Sequence, residues 1–89
     1  MRIVPGFVLR DIAGETIAIP TGAAAHRLSG IVSFNETGRF LFELLSEDRT
    51  RDDLAAALAD AYEVEYTVAA SDVDAFLDVL RENDMLVGE

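Results

Sequence analysis

The sequence predicts a small α+β domain in which a three-stranded antiparallel sheet is followed by three helices, in the order β-β-β-α-α-α. Two runs of strand-forming residues flank a tight turn near the start of the chain, which predicts a hairpin. The spacing of the apolar residues then changes from two to three or four where Phe34 meets Asn35. Because the helical spacing continues after that junction, the strand-forming and helix-forming segments occupy separate parts of the chain.

The first two strands are predicted as a β-hairpin. The segment 7–12 alternates apolar and polar residues, and Ala13-Gly14-Glu15 supplies the small residue and the glycine of a tight turn. The segment 16–19 is rich in β-branched residues and ends at Pro20, which cannot donate a hydrogen bond to a ladder. A connection of small residues leads to the third strand, predicted at about 30–34.

The first helix is predicted from Asn35 to about Leu45. Asn35 follows the third strand directly and is well placed to cap the free amides of the first turn. Gly38 lies in that turn, where glycine costs about 1 kcal/mol of helix propensity relative to alanine. A glycine at this position therefore indicates close backbone packing, and residues 35–38 are expected to hold the strand in place.

The second helix is predicted from its cap and its apolar spacing, and the third helix is predicted from its apolar stripe. The segment 50–53, Thr-Arg-Asp-Asp, resembles a capping box with aspartate in place of the usual glutamate, and it begins a helix that ends near Tyr62. The third helix is predicted to start around Thr67 and to carry an apolar stripe opposite a polar face. The tail 85–87, Met-Leu-Val, is expected to pack on the core, so that residues 1–89 form a single domain.

The composition limits the class of protein and of partner. The chain has 89 residues, no cysteine and a net charge of −10, which excludes disulfides and thiolate metal sites. Residues 1–35 carry a net charge of +1, whereas residues 36–89 hold four arginines against fifteen carboxylates, a net charge of −11. Such an acidic half repels phosphate, so basic or amphipathic partners fit better than nucleic acid or an anionic membrane. Since neither a bilayer-spanning run nor a signal segment is found, a cytoplasmic protein is predicted.

No constellation of residues in the sequence predicts catalysis. The adjacent carboxylates lie at predicted helix starts or on polar faces, where they favour the helix dipole or are solvated. The single histidine, His26, has no partner nearby in the sequence, and Asp72-Val73-Asp74 lacks the glycine and distal glutamate of a calcium loop. We therefore expect no enzyme activity, no metal and no cofactor, which leaves recognition through backbone, shape and apolar surface.

The helical part also resembles a helix-turn-helix with the hairpin as its wing. A winged-helix-like domain is therefore expected, and a DNA-binding or regulatory function is the alternative hypothesis. Its recognition helix would be the third, but the segment 67–84 holds five carboxylates against Arg81 alone, a net charge of −4. Because specific DNA readers bring arginine and lysine to the phosphates, this charge argues against DNA binding.

Four segments match a known pattern: 6–15, 34–38, 40–45 and 72–86. The most specific parts are Asn-Glu-Thr-Gly at the strand-to-helix junction and Asp-Val-x-x-Phe-Leu-x-x-Leu-Arg in the third helix. Together they resemble the PqqD family, named for the pyrroloquinoline quinone biosynthesis protein D, over nearly the whole chain. The sequence departs from the family pattern at Phe42, where family members commonly have tryptophan, and at Asp84, where they commonly have glycine.

The resemblance implies a non-catalytic peptide-recognition domain from pathways of ribosomally made, post-translationally modified peptides. Such a domain binds the leader of a precursor peptide and presents it to a modifying enzyme, often a radical S-adenosylmethionine protein. In the family the leader is held as an added strand on the third strand, in a groove against the third helix. Carried onto this chain, the strand edge consists of Ile31, Val32, Ser33 and Phe34, and the helix wall consists of Val73, Phe76, Leu77 and Leu80.

The chemistry of these residues agrees with the implied function and leaves alternatives open. Backbone pairing supplies affinity, and alternate side-chain pockets supply selectivity. The four helix residues are first of all core residues, so only one or two of them are expected to touch a ligand, and Val32 or Phe34 must face the core. A third hypothesis is a homodimer through strand edges, because an uncovered third strand is a template for self-association.

Overall fold

The structure, a computed structural model, describes residues 1–22 and 32–89. In chain order, its elements are β1 (Arg2–Ile3), β2 (Phe7–Ile12), β3 (Glu15–Pro20), β4 (Val32–Phe34), α1 (Glu36–Leu44), α2 (Arg51–Tyr62), α3 (Tyr66–Glu82) and β5 (Leu86–Val87). The predicted α+β order is confirmed by β2, β3, β4 and the three helices, and two short strands are added at the ends. Ile31 of the predicted third strand and His26 lie outside the described residues.

Strands β2, β3 and β4 form an antiparallel sheet in that order. The turn between β2 and β3 consists of Ala13 and Gly14, whose φ angles are 52° and 83°, as the type I′ turn of a two-residue hairpin requires. Ile17 of β3 lies opposite Arg10 of β2 and Ser33 of β4. Because β3 is the central strand, β2 and β4 each leave one edge unpaired among the described residues.

The helices cover one face of this sheet. Thr16 and Ala18 of β3 are buried, whereas Ile17 and Ile19 between them are half-buried, the alternation of a sheet with one covered face. Within residues 1–22 and 32–89, no helix is long and apolar enough to cross a membrane. The largest fully buried side chains are Leu41, Leu45, Leu54, Leu58, Val73, Leu77, Leu80 and Met85.

The two ends of the chain are joined by β1 and β5, which pair antiparallel. The amide of Ile3 also donates to the carbonyl of Leu45 at 2.9 Å, and that of Val4 donates to the carbonyl of Met85 at 2.8 Å. Met85 is fully buried, so the prediction that the tail packs on the core is confirmed. The strand pair was not predicted, because two-residue strands show no periodicity and these two lie at opposite ends of the chain.

The predicted helix caps are present. The Oδ1 atom of Asn35 accepts a hydrogen bond from the amide of Gly38 at 2.9 Å. At the start of α2, the Thr50 hydroxyl oxygen accepts from the Asp53 amide and the Asp53 carboxylate accepts from the Thr50 amide, both at 3.0 Å, which confirms the capping box. Relative to the predicted bounds, α1 begins one residue later and ends one residue earlier, and α3 begins one residue earlier.

Gly38 lies where the backbone of α1 passes close to β4. A Cβ atom at this position would lie 2.9 Å from the Cβ atom of Phe34 and 3.2 Å from the Oδ1 atom of Asn35. Both distances are shorter than ordinary van der Waals contact, so the predicted close backbone packing is confirmed. Phe34 at the end of β4 and the first turn of α1 are therefore closely packed at this junction.

Replacing Gly38 by alanine is expected to lower the free energy of unfolding by up to about 2 kcal/mol. Overpacking costs about 1–3 kcal/mol in well-packed sites, which outweighs or cancels the gain in helix propensity of about 1 kcal/mol. Urea unfolding followed by circular dichroism measures the change. Ala56→Gly at an exposed position of α2 is the control for propensity alone, and a stabilised Gly38→Ala protein would contradict the close approach.

Candidate functional site

A groove of about 300 Å³ lies where the end of β4, the first turns of α1 and one side of α3 meet. It continues the strand-to-helix junction that the sequence singled out. Its lining combines strand, helix-cap and helix residues, namely Phe34, Asn35, Thr37, Gly38, Leu41, Asp72, Ala75, Phe76 and Val79.

Two phenyl rings join the strand side of the groove to the helix side. The ring centroids of Phe34 and Phe76 are 5.5 Å apart, and Phe34 lies at the same distance from Phe42 of α1. Phe34 and Phe76 are buried for most of their surface, so packing holds the rings in place. They therefore give the groove a fixed apolar floor.

The cap of α1 forms a polar border of the groove. The hydroxyl of Thr37 donates to the Oδ1 atom of Asn35 at 3.0 Å, and that oxygen also accepts from the amide of Gly38. Sequence reasoning gave residues 35–38 a role in capping and packing. The structure shows both roles and places Asn35, Thr37 and Gly38 on the groove lining as well.

The strand beside the groove, β4, is an edge strand without a charged residue. It pairs with β3 through Val32, Ser33 and Phe34, and no described strand pairs with its other edge. Ser33 is exposed and Val32 is half-buried. Because an unpaired edge presents backbone N–H and C=O groups, β4 can accept one more strand.

The opposite edge of the sheet, β2, is charged. It carries Arg10 and Asp11, and Asp11 accepts a hydrogen bond from the Thr16 hydroxyl at 2.8 Å and forms an ion pair with Arg39. The hydrogen bond from Thr16, followed by that from Arg39, lowers the pKa of the Asp11 carboxyl below its ordinary value. Since charged side chains protect an edge against pairing, β4 is the more open edge.

The site residues predicted on the strand lie next to the groove, apart from one. Phe34 lines the groove, and Val32 and Ser33 precede it on β4. Ile31 lies outside the described residues. Phe76 is the one residue of the predicted helix wall that lines the groove.

The other three residues of the predicted helix wall, Val73, Leu77 and Leu80, have no exposed surface. They do not line the groove, and they pack the inner side of α3 on the core. In the structure these three residues therefore lie between the groove-lining side of α3 and the core. This agrees with the expectation that most of the stripe is core.

Sequence reasoning missed Asp72, Ala75 and Val79 as lining residues. All three are exposed on α3, and they follow one another at spacings of three and four, on the flank of the buried stripe. The signal that could have found them is the apolar side chains of Ala75 and Val79 on a flank of the amphipathic helix outside its buried stripe.

The carboxylates of α3 differ in whether they are paired. Asp74 accepts hydrogen bonds from Arg51 of α2 at 2.9 and 2.8 Å, which lowers the pKa of the Asp74 carboxyl. Asp78 pairs with Arg81 at 3.2 Å. Asp72 has no described side chain as a partner, and no described basic residue lines the groove.

Residues 1–22 and 32–89 contain no cluster of three metal-ligating side chains.

A larger cavity, of about 500 Å³, is bounded by the N-terminal segment, β2 and α1. Its lining includes the phenyl rings of Phe7 and Phe42, whose centroids are 6.2 Å apart, and the charged side chains of Arg2 and Glu43. This cavity adjoins the charged edge strand β2. For recognition of an extended chain, the smaller groove beside the uncharged edge of β4 is therefore the better candidate.

Both the sequence and the fold have counterparts among known proteins. The model of a family described as "Coenzyme PQQ synthesis protein D (PqqD)" matches residues 8–86. Among solved structures, the chain is similar to "TbiB1 in Complex with the TbiA(beta) Leader Peptide", with a TM-score of 0.74 and 20% sequence identity, over 100% of this chain and 98% of that one. The likeness confirms the predicted small α+β fold. Among curated proteins, none matches significantly.

Proposed function

The chain belongs to the PqqD family, and from this membership we propose that it is a non-catalytic, peptide-binding domain. It recognises the leader of a ribosomally made precursor peptide and presents that peptide to a modifying enzyme of the radical S-adenosylmethionine type. It acts in the cytoplasm, where such precursors are synthesised.

The observation that carries this proposal is the uncharged edge of β4, which no described strand covers, beside an apolar groove. In the proposed complex the leader is an added strand, whose backbone pairs with Val32, Ser33 and Phe34. Ile31 is a further predicted contact, because it precedes this strand in the sequence. Since side chains alternate along an extended peptide, every second leader residue enters the groove over Phe34 and Phe76.

The side of α3 that lines the groove supplies the selectivity in this arrangement. Val79 is 38% exposed and, together with Ala75, offers apolar surface that a leader side chain can cover. The fully buried Val73, Leu77 and Leu80 hold α3 against the core. Covering exposed apolar surface is favourable at roughly 25 cal/mol per Å², so apolar leader residues are favoured at this point.

The comparison with TbiB1 supports the same class of ligand, since that protein was solved with a leader peptide. The alternative, a DNA-binding winged helix, is not favoured. Its recognition helix would be α3, which carries four carboxylates against Arg81 alone. Bringing those carboxylates to a phosphate backbone is unfavourable.

Amide chemical shifts of isotopically labelled protein test the proposal. Short peptides are selected from a random library on the immobilised protein, synthesised and titrated. The largest shifts are expected along β4 and in the part of α3 between Phe76 and Val79. Failure to select any peptide, shifts centred on β2, or tight and salt-sensitive binding of duplex DNA would overturn it. Concentration-dependent shifts of β4 without peptide would instead support a homodimer through the strand edge.

A further inference from the structure

The charge of the groove assigns a chemical class to the peptide that occupies it. Resting on the proposed function, we propose that the leader carries a lysine or arginine that pairs with Asp72. This pair sets the register of the peptide along β4. The leader then combines one basic residue with apolar residues on the face that enters the groove.

Asp72 is the one charged residue among the described residues that line the groove. It is exposed, and it lies one helical turn before Phe76 and two turns before Val79 on α3. Residues at these spacings share one side of a helix. The carboxylate therefore stands at one end of an apolar strip that runs along the wall of the groove.

Asp72 differs from Asp74 and Asp78 on α3 because no described cation neutralises it. Four arginines in the described part of the chain form ion pairs elsewhere. The pairs are Arg39 with Asp11 and Glu43, Arg49 with Glu47, Arg51 with Asp52 and Asp74, and Arg81 with Asp78 and Glu89.

Binding changes the solvation of this carboxylate. The carboxylate of Asp72 is exposed to water, and an added peptide strand displaces part of that water. Removing water from a charge without supplying a partner is unfavourable, so an apolar or acidic leader residue at this point weakens binding. A lysine or arginine replaces the lost hydrogen bonds and neutralises the charge.

The electrostatic field of the acidic part of the chain also favours a basic peptide. Residues 36–89, which include both helices that border the groove, carry a net charge of −11. One of these carboxylates, Glu36, is exposed at the start of α1, next to the lining residues Asn35 and Thr37. This field attracts basic peptides at long range, whereas Asp72 determines where along the peptide the charge is placed.

The geometry of the strand restricts the position of the basic residue. Asp72 and Val79 are seven positions apart on α3, which corresponds to roughly 10 Å along the helix axis. An extended peptide advances about 3.3 Å per residue and presents alternate side chains to one face. For a peptide strand that runs along α3, the basic residue therefore lies two or four positions from the apolar residue that contacts Val79.

Parallel selections from one random peptide library test the inference. The baits are the wild-type protein, Asp72→Asn, Asp72→Lys and the control Asp60→Asn, which changes an exposed carboxylate of α2 outside the groove. Lysine and arginine are expected at one position, at even spacing from an apolar position, with wild type and Asp60→Asn. The preference is lost with Asp72→Asn and changes to aspartate and glutamate with Asp72→Lys.

A basic peptide selected on the wild type is then titrated into each variant. Asp72→Asn is expected to bind it about two- to fivefold more weakly, the range of an exposed ion pair, and the difference shrinks at high salt. Peptides that shift the amides of β4 without any basic preference, or with a preference that persists in Asp72→Asn, would overturn the role of Asp72 and leave the proposed function intact. Absence of peptide binding at β4 would instead overturn the proposed function.

Discussion

Val79→Glu is expected to weaken the binding of a library-selected peptide by about tenfold or more. Val79 is 38% exposed and is the last residue of α3 that lines the groove. The substitution removes apolar surface and places a carboxylate against an apolar side chain of the peptide, where it loses water without gaining a partner. Fluorescence anisotropy of the labelled peptide measures the change in dissociation constant.

Val68→Glu is the matched control for this variant. Val68 is also an exposed valine of α3, with 49% of its surface accessible, but it does not line the groove. Both substitutions add the same charge, and both are expected to leave the free energy of unfolding within about 0.5 kcal/mol of wild type. If the two variants lost affinity equally, the effect would come from net charge, and contact with Val79 would be contradicted.

Leu77→Ala is expected to lower the free energy of unfolding by about 3 kcal/mol, within a range of roughly 2–5 kcal/mol for such truncations. Leu77 has no exposed surface, so its truncation removes apolar contacts and leaves a cavity in the core. A small domain is stable by only about 5–15 kcal/mol, so the loss is a large fraction of the total. Urea unfolding followed by circular dichroism measures it.

The peptide affinity of the folded Leu77→Ala protein is expected to be unchanged, because Leu77 does not line the groove. Val68→Ala, at an exposed position of the same helix, controls for the loss of a side chain and is expected to change stability by less than about 0.5 kcal/mol. A Leu77→Ala protein with wild-type stability and weakened binding would contradict this placement. Leu77 would then be the ligand contact that the family resemblance implies.

Most of the fold follows from local rules that the sequence displays directly. The hairpin depends on the turn at Ala13 and Gly14, the start of α1 on the Asn35 cap, and the close approach of α1 to β4 on Gly38. Each depends on residues only a few positions apart, so propensity, capping and periodicity predict it. The β1–β5 pair joins the two ends of the chain, and no local pattern reveals such a contact.

The candidate site was predicted in part. The strand-to-helix junction, with Phe34 at its end, was located from the change in apolar spacing, and Phe76 from the apolar stripe of the third helix. The stripe identifies the residues that must be buried. The stripe does not show which flank of the helix remains uncovered. Val73, Leu77 and Leu80 were therefore assigned to the side of α3 that faces the groove, which Asp72 and Val79 line in the structure.

The amino-acid sequence was sufficient for the order of the three main strands and the three helices, for the caps of α1 and α2, and for the membership of the PqqD family. The position of α3 relative to β4 and α1 required the tertiary structure, because it depends on contacts between distant segments, such as the phenyl rings of Phe34 and Phe76. That position leaves Asp72 on the groove without a described partner, whereas Asp74 on the same helix is neutralised by Arg51 of α2. Helical periodicity places the two carboxylates on opposite flanks of the buried stripe of α3, and only the packing of the neighbouring elements decides which flank meets α2 and which meets the groove.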